Sequence, residues 1–350
     1  MYYKIYKNHT DMYHDLINTG IGQGAKIELN NLMVYELNHI FSVIENPLQR
    51  CEFQSPTSMF FDMVETIFVL SGRKDSYLLK QYKPEMSKYE ENGVFEMAEG
   101  PRLFNGLYGN QIKKIVDKLK HDRNSRNLIG IMNEVEVNYE PCTMYFQFTV
   151  IEEKINLYVN FRALDPIRYL NRDFFLYSVL LELVANWVEI PIGKLIIHSN
   201  NLHIYEHLVD RIKLLQKRGG ILKYPNKQIN FPLRISIENV NIIFSKTMDI
   251  LIKWHKFGVF VPADSLKEIY ESGLPPCMQH WLKILLCGRY MELKQIENIK
   301  IVLENTEDTD LKRSIVYFLN NKTPEILEIR GHVMKRNLSG AIKRLRKQNI

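Results

Sequence analysis

Cysteine is scarce: the chain of 350 residues holds four, Cys51, Cys142, Cys277 and Cys287, set far apart and with no Cys-x-x-Cys spacing. That distribution excludes a zinc ribbon and a disulfide framework. Long apolar runs are also missing. The longest, Phe174 to Val188, is interrupted by Glu182 and Asn186 and falls short of the ~20 residues a membrane-spanning helix needs. The N-terminal MYYKIYKNHTDMYHDL carries charges and tyrosines where a secretory signal would need unbroken apolar residues. A soluble, cytoplasmic protein with no membrane contact is expected. Glycines 20, 22 and 24 make no phosphate loop, since no Lys-Ser/Thr follows and a strand comes next. Acidic residues are absent from Gly331 to Ile350, whose Lys335, Arg336, Lys343, Arg344, Arg346 and Lys347 account for the whole net charge of +6. The rest is neutral on balance, so a nucleic-acid surface spread over the fold is excluded and only the tail could serve as one.

What the chain does have is 45% apolar and 11% aromatic residues, enough for a substantial core and too much for disorder. Period-two alternation predicts strands over about Lys26 to Leu37, Leu128 to Asn133, Met144 to Val150 and Ile155 to Phe161. Helical spacing occupies Met59 to Leu70, Gly109 to Lys120, Phe174 to Val188 and His203 to Gln216. Strands and helices interleave irregularly, which favours α+β with a mixed or largely antiparallel sheet. After about Ser245 helical segments follow one another: Lys246 to Trp254, Ser265 to Glu271, Pro276 to Leu286 and Met291 to Glu304. The expected division is a catalytic domain over 1–245 and an all-helical extension with a basic tail over 246–350.

Cys142, preceded by Tyr139-Glu140-Pro141, stands just before the strand Met144 to Val150, whose Gln147 breaks the apolar face. A cysteine there is either a small buried hydrophobe or a nucleophile, and its company decides. That company resembles the thymidylate synthase superfamily, which includes the pyrimidine nucleotide hydroxymethylases. Asp122-Arg123-Asn124-Ser125-Arg126 is similar to the family's Asp-Pro-x-Ser-Arg-Arg. Pro141-Cys142 followed by Phe146-Gln147-Phe148 is similar to Pro-Cys-His and its Gln-Phe strand, and Arg162-Ala163-Leu164-Asp165 to Arg-Ser-x-Asp. Asn201-Leu202-His203-Ile204-Tyr205 with His207 resembles Asp-x-His-x-Tyr-x-x-His. Upstream, Glu65 to Gly72 resembles Glu-Leu-Leu-Trp-Phe-Leu-x-Gly, and Tyr108-Gly109-Asn110-Gln111 resembles Tyr-Gly-x-Gln.

The resemblance implies a thymidylate-synthase-like mixed sheet with packed helices and a homodimer acting on a pyrimidine nucleoside monophosphate, with 5,10-methylenetetrahydrofolate as co-substrate and no metal. Carbon 5 of a pyrimidine attacks only after a thiolate adds to carbon 6. Cys142 would be that thiolate, Glu65 would manage protons through ordered water, and Tyr108 would stand by the cysteine. Arg126, supplied by the partner subunit, and Arg162 would hold the phosphate and favour the thiolate. His203 and Tyr205 would bond the sugar hydroxyl, and Asp165 the pterin ring. His198, His203 and His207 make a poor metal cluster, since the step from His203 gives two ligands on one helical face with no matching carboxylate.

Departures from the pattern are informative. Ten residues beyond Ala163 the family's base-reading asparagine is replaced by Asp173. An asparagine matches uracil N3–H and O4, whereas a carboxylate suits the amino group of cytosine; Asp173 thus points to CMP or dCMP, with a helix-capping role as the plain alternative. The family's Ile-Trp-Asp-x-Trp segment has no counterpart in Tyr82 to Gly93, where Met86 and Tyr89 are the large side chains, which favours capture of water and a hydroxymethyl product. Thr143, Phe161, Ala163 and Asn127 replace a histidine, a glutamine, a serine and a second arginine, and Lys26 or Arg50 would have to substitute for a further phosphate ligand. A dUMP-methylating synthase and a non-catalytic nucleotide-binding relative are the competing readings.

Overall fold

The chain opens with a short strand, β1 (Tyr2–Tyr6), and turns at Asn8, whose side-chain oxygen accepts from the Asp11 amide at 3.0 Å and caps helix α1 (His9–Gln23). The structure, a computed structural model, describes residues 1–52, 59–133, 141–219 and 230–321; Tyr139-Glu140 and the basic tail lie outside the described residues. The single strand expected over Lys26 to Leu37 is instead a hairpin of β2 (Ala25–Leu29) and β3 (Leu32–Ile44). Asn30 and Asn31 stand at φ 51° and 62°, the two left-handed residues that a type I′ turn requires and that asparagine tolerates. Two adjacent asparagines mimic the polar positions of a continuous strand, which is why the alternation misleads here.

Helix α2 (Met59–Ser71) is followed by α3 (Tyr77–Tyr82), the two-residue strands β4 (Glu90–Glu91) and β5 (Val94–Phe95), α4 (Glu99–Phe104) and α5 (Gln111–His121). Strands β6 (Ile129–Ile131), β7 (Thr143–Ile151) and β8 (Lys154–Phe161) lead to α6 (Leu170–Val188), β9 (Ile192–Tyr205) and α7 (Glu206–Gly219). Among the described residues one mixed sheet runs β1-β3-β9-β8-β7-β6, with β2 also on β3. The pairs β1/β3 and β8/β9 are parallel and the others antiparallel. The helix expected from His203 starts at Glu206; His203 and Tyr205 belong to β9, held between β3 and β8. Ser199, Asn200 and Asn201 break its alternation, and pairing on both edges supplies the stability that the local pattern lacks.

Helix α2 is buried on nearly every side, with α6 against one flank and α8 (Val240–Phe257) against another. Its Phe60, Phe61 and Phe68 are buried, each contributing ~1.5–3 kcal/mol by leaving water. The helical stretch continues as α9 (Pro262–Glu271), α10 (Pro276–Glu292), α11 (Ile296–Glu304) and α12 (Asp310–Asn321). The helix expected over Met291 to Glu304 is broken between α10 and α11, where Lys294 takes a left-handed φ of 61°. Asn241 Nδ2 donates to the Leu70 carbonyl at 2.9 Å, and Trp281 stands 5.6 Å from the Phe175 ring, so α8 and α10 share the core of α2 and α6. Glu182 and Asn186, the two interruptions of the apolar run, hold the segment 230–236: Glu182 Oε1 accepts from the Leu233 amide at 3.0 Å and Asn186 Nδ2 donates to its carbonyl at 3.1 Å. The boundary expected at 245 falls inside α8, and we propose to draw the division ahead of Val240.

Candidate active site

Cys142 stands at the entrance to β7, where the pairing with β8 slips by one residue between Thr143 and Tyr145. Such a bulge re-aims the side chains at the end of a strand. The Arg162 amide donates to the Cys142 carbonyl at 2.9 Å and the Arg162 Nε to the Pro141 carbonyl at 3.2 Å, so the loop leaving β8 is tied to the cysteine's own backbone. Burial pushes the Cys142 thiol above its ordinary value, and the negative charges of Asp173 and Glu99 add to that, while Arg162 and Arg172 pull it down. The free protein therefore holds a thiol whose ionisation depends on which charges face it.

The carboxyl groups that act on Arg172 come from three helices. Glu65 lies in the middle of α2, Glu99 opens α4 and Asp173 sits in the first turn of α6. Helix α4 lies close on α2 because Gly100 has no side chain; a Cβ there would come within 2.3 Å of the Val69 carbonyl oxygen. Asp173 is not the cap residue, since α6 already begins at Leu170, and its amide donates to the Tyr169 carbonyl at 3.0 Å. Arg172 joins the carboxylates: its Nε and Nη2 donate to Asp173 Oδ1 at 2.8 and 2.6 Å, and its Nη1 to Glu65 Oε1 at 3.1 Å. The other oxygens, Asp173 Oδ2 and Glu65 Oε2, are buried without a hydrogen-bond partner among the described residues, as is Asp62 Oδ1 one turn before Glu65. Buried polar atoms of this kind are acceptors that await a ligand or water. Burial raises the carboxyl groups of Glu65 and Asp173 above their ordinary values, carries Asp62 up to about 8 and Glu99 to about 7, and Arg172 opposes the rise in each case.

A second group adjoins the first. Asp165 Oδ1 accepts from the amides of Ile167 and Arg168, both at 3.0 Å, fixing the turn that leads into α6. Arg168 Nε stands 3.1 Å from Asp165 Oδ2 and its guanidinium lies 3.9 Å from the centre of the Tyr205 ring. The His203 amide donates to the Leu164 carbonyl at 3.0 Å, which brings the end of β9 beside this turn. Burial lowers the basicity of His203, so its imidazole is neutral at physiological pH, and Arg162 acts on it as well as on Cys142. His203 thus lies on a strand and His207 on α7, and no group of three or more His, Cys, Asp or Glu side chains that could hold a metal occurs among the described residues.

Of the residues singled out from the sequence, Cys142, Glu65, Arg162, Asp165, Asp173, His203 and Tyr205 therefore converge. Tyr108 and Arg126 lie at the surface of the single chain. The Tyr108 carbonyl accepts from Lys114 Nζ at 2.6 Å, and the Arg126 carbonyl from Gln147 Nε2 at 2.9 Å, so Gln147 anchors the arginine's loop. Of the two substitutes considered for a phosphate ligand, Arg50 is buried in an ion pair with Glu182, and Lys26 pairs with Glu206 at 2.5 Å. Sequence reasoning missed Arg172, Asp62, Glu99 and Lys83, whose ammonium lies 4.3 Å from the Tyr169 ring centre. The available signal was charge inside apolar helices: Asp62 and Glu65 one turn apart in α2, and Arg172-Asp173 just ahead of the long apolar run Phe174 to Val188.

The sequence that carries this site is similar to known proteins. The thymidylate synthase family model matches residues 72–252, more than half of the chain. The chain belongs to the thymidylate synthase family. It is 24% identical over 217 residues to the deoxyuridylate hydroxymethyltransferase of Bacillus phage SP01, covering 56% of this chain and 57% of that protein. It is 30% identical over 175 residues to the thymidylate synthase of Fusobacterium nucleatum, covering 48% and 60%. Over 121 residues it is 30% identical to the thymidylate synthase of Enterobacteria phage T4, covering 33% and 42%. The chain thus spans roughly half the length of these relatives. No described helix is long and apolar enough to cross a membrane.

Proposed function

We propose that this chain is a pyrimidine nucleotide C5 hydroxymethyltransferase that moves a one-carbon unit from 5,10-methylenetetrahydrofolate to CMP or dCMP through a covalent bond between Cys142 and carbon 6. The observation that carries the reading is the free Oδ2 of Asp173, a buried acceptor whose charge acts on the Cys142 thiol. An acceptor there suits the exocyclic amino group of cytosine and repels O4 of uracil.

In this reading the nucleotide phosphate meets Arg162, and ring and thiol are brought together by Asp173. The sulfur adds to carbon 6 as a thiolate, which makes carbon 5 nucleophilic. Glu65, with Oε1 held by Arg172 and Oε2 free, takes the proton from carbon 5 through water. Burial raises its carboxyl above the ordinary value, which makes it a stronger base. His203, neutral and with a buried, unpartnered Nδ1, and Tyr205 serve the sugar. Folate, when bound, supplies carbon at the oxidation level of formaldehyde. The residues meet it narrowly, since Asp165 has Oδ1 occupied by two amides and only Oδ2, shared with Arg168, left to face a pterin N–H. Residues Tyr82 to Gly93 bring no tryptophan to pack on it, which favours water as the final nucleophile. Exposure of Arg126 on a loop anchored to β7 supports its delivery to the phosphate site of a second copy, in a homodimer.

A second reading, hydroxymethylation of a uracil nucleotide, is favoured by the name of the phage SP01 relative. Incubation with CMP, dCMP, UMP or dUMP and methylenetetrahydrofolate, followed by mass analysis, separates the two. Gain of CH2O on a cytosine nucleotide supports the proposal. The same gain on a uracil nucleotide supports the second reading, and gain of CH2 on dUMP contradicts both.

A further inference from the structure

Arg172 bridges two helices and two functions. Both N–H groups that it directs at Asp173, from Nε at 2.8 Å and Nη2 at 2.6 Å, end on the same oxygen, Oδ1. Its third contact is Glu65 Oε1 at 3.1 Å, and its guanidinium lies 4.9 Å from the Tyr169 ring centre. Arginine brings donors only and keeps its charge at any physiological pH. Oδ1 is therefore held as an acceptor, and Oδ2, buried and without a partner among the described residues, is the atom left for a ligand.

We propose that Arg172 is a specificity-determining positioning residue, which restricts the site to cytosine by keeping Asp173 a carboxylate. The proposal rests on the reading of Asp173 as the residue that contacts the base. Its logic lies in the hydrogen-bond inventory of a carboxyl group. An ionised carboxyl is acceptor-only: it welcomes the cytosine amino group and repels uracil O4. A protonated carboxyl has one donor and one acceptor, like the side-chain amide of asparagine. It can accept from uracil N3–H and donate to O4, or accept from the cytosine amino group and donate to N3. A neutral Asp173 would read both bases.

Ionisation of Asp173 is contested. Burial pushes its carboxyl up; Arg172 is the strongest influence pulling it down, with Lys83 assisting from the segment after α3 and Asp165 opposing from the turn before α6. Asp62 and Glu65 of α2, Glu99 of α4, Tyr177 of α6 and the Cys142 thiol at the entrance to β7 face the same point, and each feels the charge of Asp173. With so many acids assembled in a buried space, removal of the cation hydrogen-bonded to Asp173 moves that carboxyl toward its neutral form.

The test is equilibrium binding of CMP and UMP, and of dCMP and dUMP, to the intact wild-type protein, R172M and R172K, by calorimetry at about pH 6 and about pH 8.5. In R172M the cytosine-over-uracil preference falls about tenfold relative to wild type at the lower pH and recovers at the higher one, since a proton-linked preference changes up to about tenfold per pH unit. R172K, which keeps the charge, retains the preference. A preference in R172M equal to that of wild type at both pH values overturns the proposal. A wild-type protein that prefers uracil at both overturns instead the reading of Asp173 on which it stands. If circular dichroism shows R172M unfolded, R172Q, which removes the charge and keeps a polar side chain, takes its place: a cytosine preference that falls at about pH 6 and recovers at about pH 8.5 supports the proposal, and one equal to that of wild type at both pH values overturns it.

Discussion

The Arg162 amide donates to the carbonyl of Cys142 at 2.9 Å, so the arginine assigned to the phosphate and the cysteine assigned to the base are neighbours through the backbone itself. In the proposed reading nucleotide binding and thiol ionisation are thereby coupled, because Arg162 is also one of the cations that favours the thiolate. Arg162→Gln is expected to raise the nucleotide KM at least about tenfold, the loss of one charge-assisted contact worth roughly 1.5–3 kcal/mol. It should also push the thiol further up from its ordinary 9.0, which iodoacetamide alkylation measured against pH reads directly.

In the proposed mechanism Glu65 separates binding from chemistry. Glu65→Gln keeps an oxygen for Arg172 Nη1 but cannot exchange a proton. The expected result is a kcat lowered about 10²–10⁴-fold with nucleotide affinity little changed, checked by single-turnover kinetics beside calorimetry.

Asp62 makes the site costly to the fold. Its carboxyl is held up to about 8 from 3.8, with burial first among the causes and Glu65 next. The unfolded chain releases this proton from about pH 4 upward while the folded chain keeps it to about 8. Stability therefore falls as pH rises through that window. Asp62→Asn should gain on the order of 5 kcal/mol at about pH 7.5 and nothing below about pH 4, as read by urea unfolding.

His9 carries a dependence of the opposite sign. It is buried, stacked on Phe174 at 4.1 Å, with Nε2 2.7 Å from Asn171 Oδ1, and burial lowers its pKa from 6.5 to about 4. The unfolded chain binds a proton in that interval and the folded chain does not, so stability is lost as pH falls from 6.5 toward 4. Unfolding series should show a loss of about 3 kcal/mol across this range that His9→Gln lacks.

The segments that could be read from the sequence were those where one local signal sufficed. The alternation of β7 and β8, the apolar spacing of α2 and α6 and the succession of helices after Val240 all follow from periodicity. Strand β9 did not, because its middle, Ser199 to Asn201, is polar and its stability comes from β3 and β8 on either side. Reading a helix back to His203 was the consequence. Within the site, Cys142, Glu65 and Asp173 were legible through the resemblance of the segments around them to the family's motifs. Arg172 was not: next to an aspartate at a helix start it looks like a capping pair, and only the packing of α2 on α6 shows that it also reaches Glu65.

The most direct measurement is release of the carbon 5 hydrogen from CMP or dCMP tritiated at that position, with no folate added. The account predicts slow release by the wild-type protein and none by Cys142→Ala that still binds the nucleotide. Retention of the label by wild-type protein saturated with either nucleotide would contradict it.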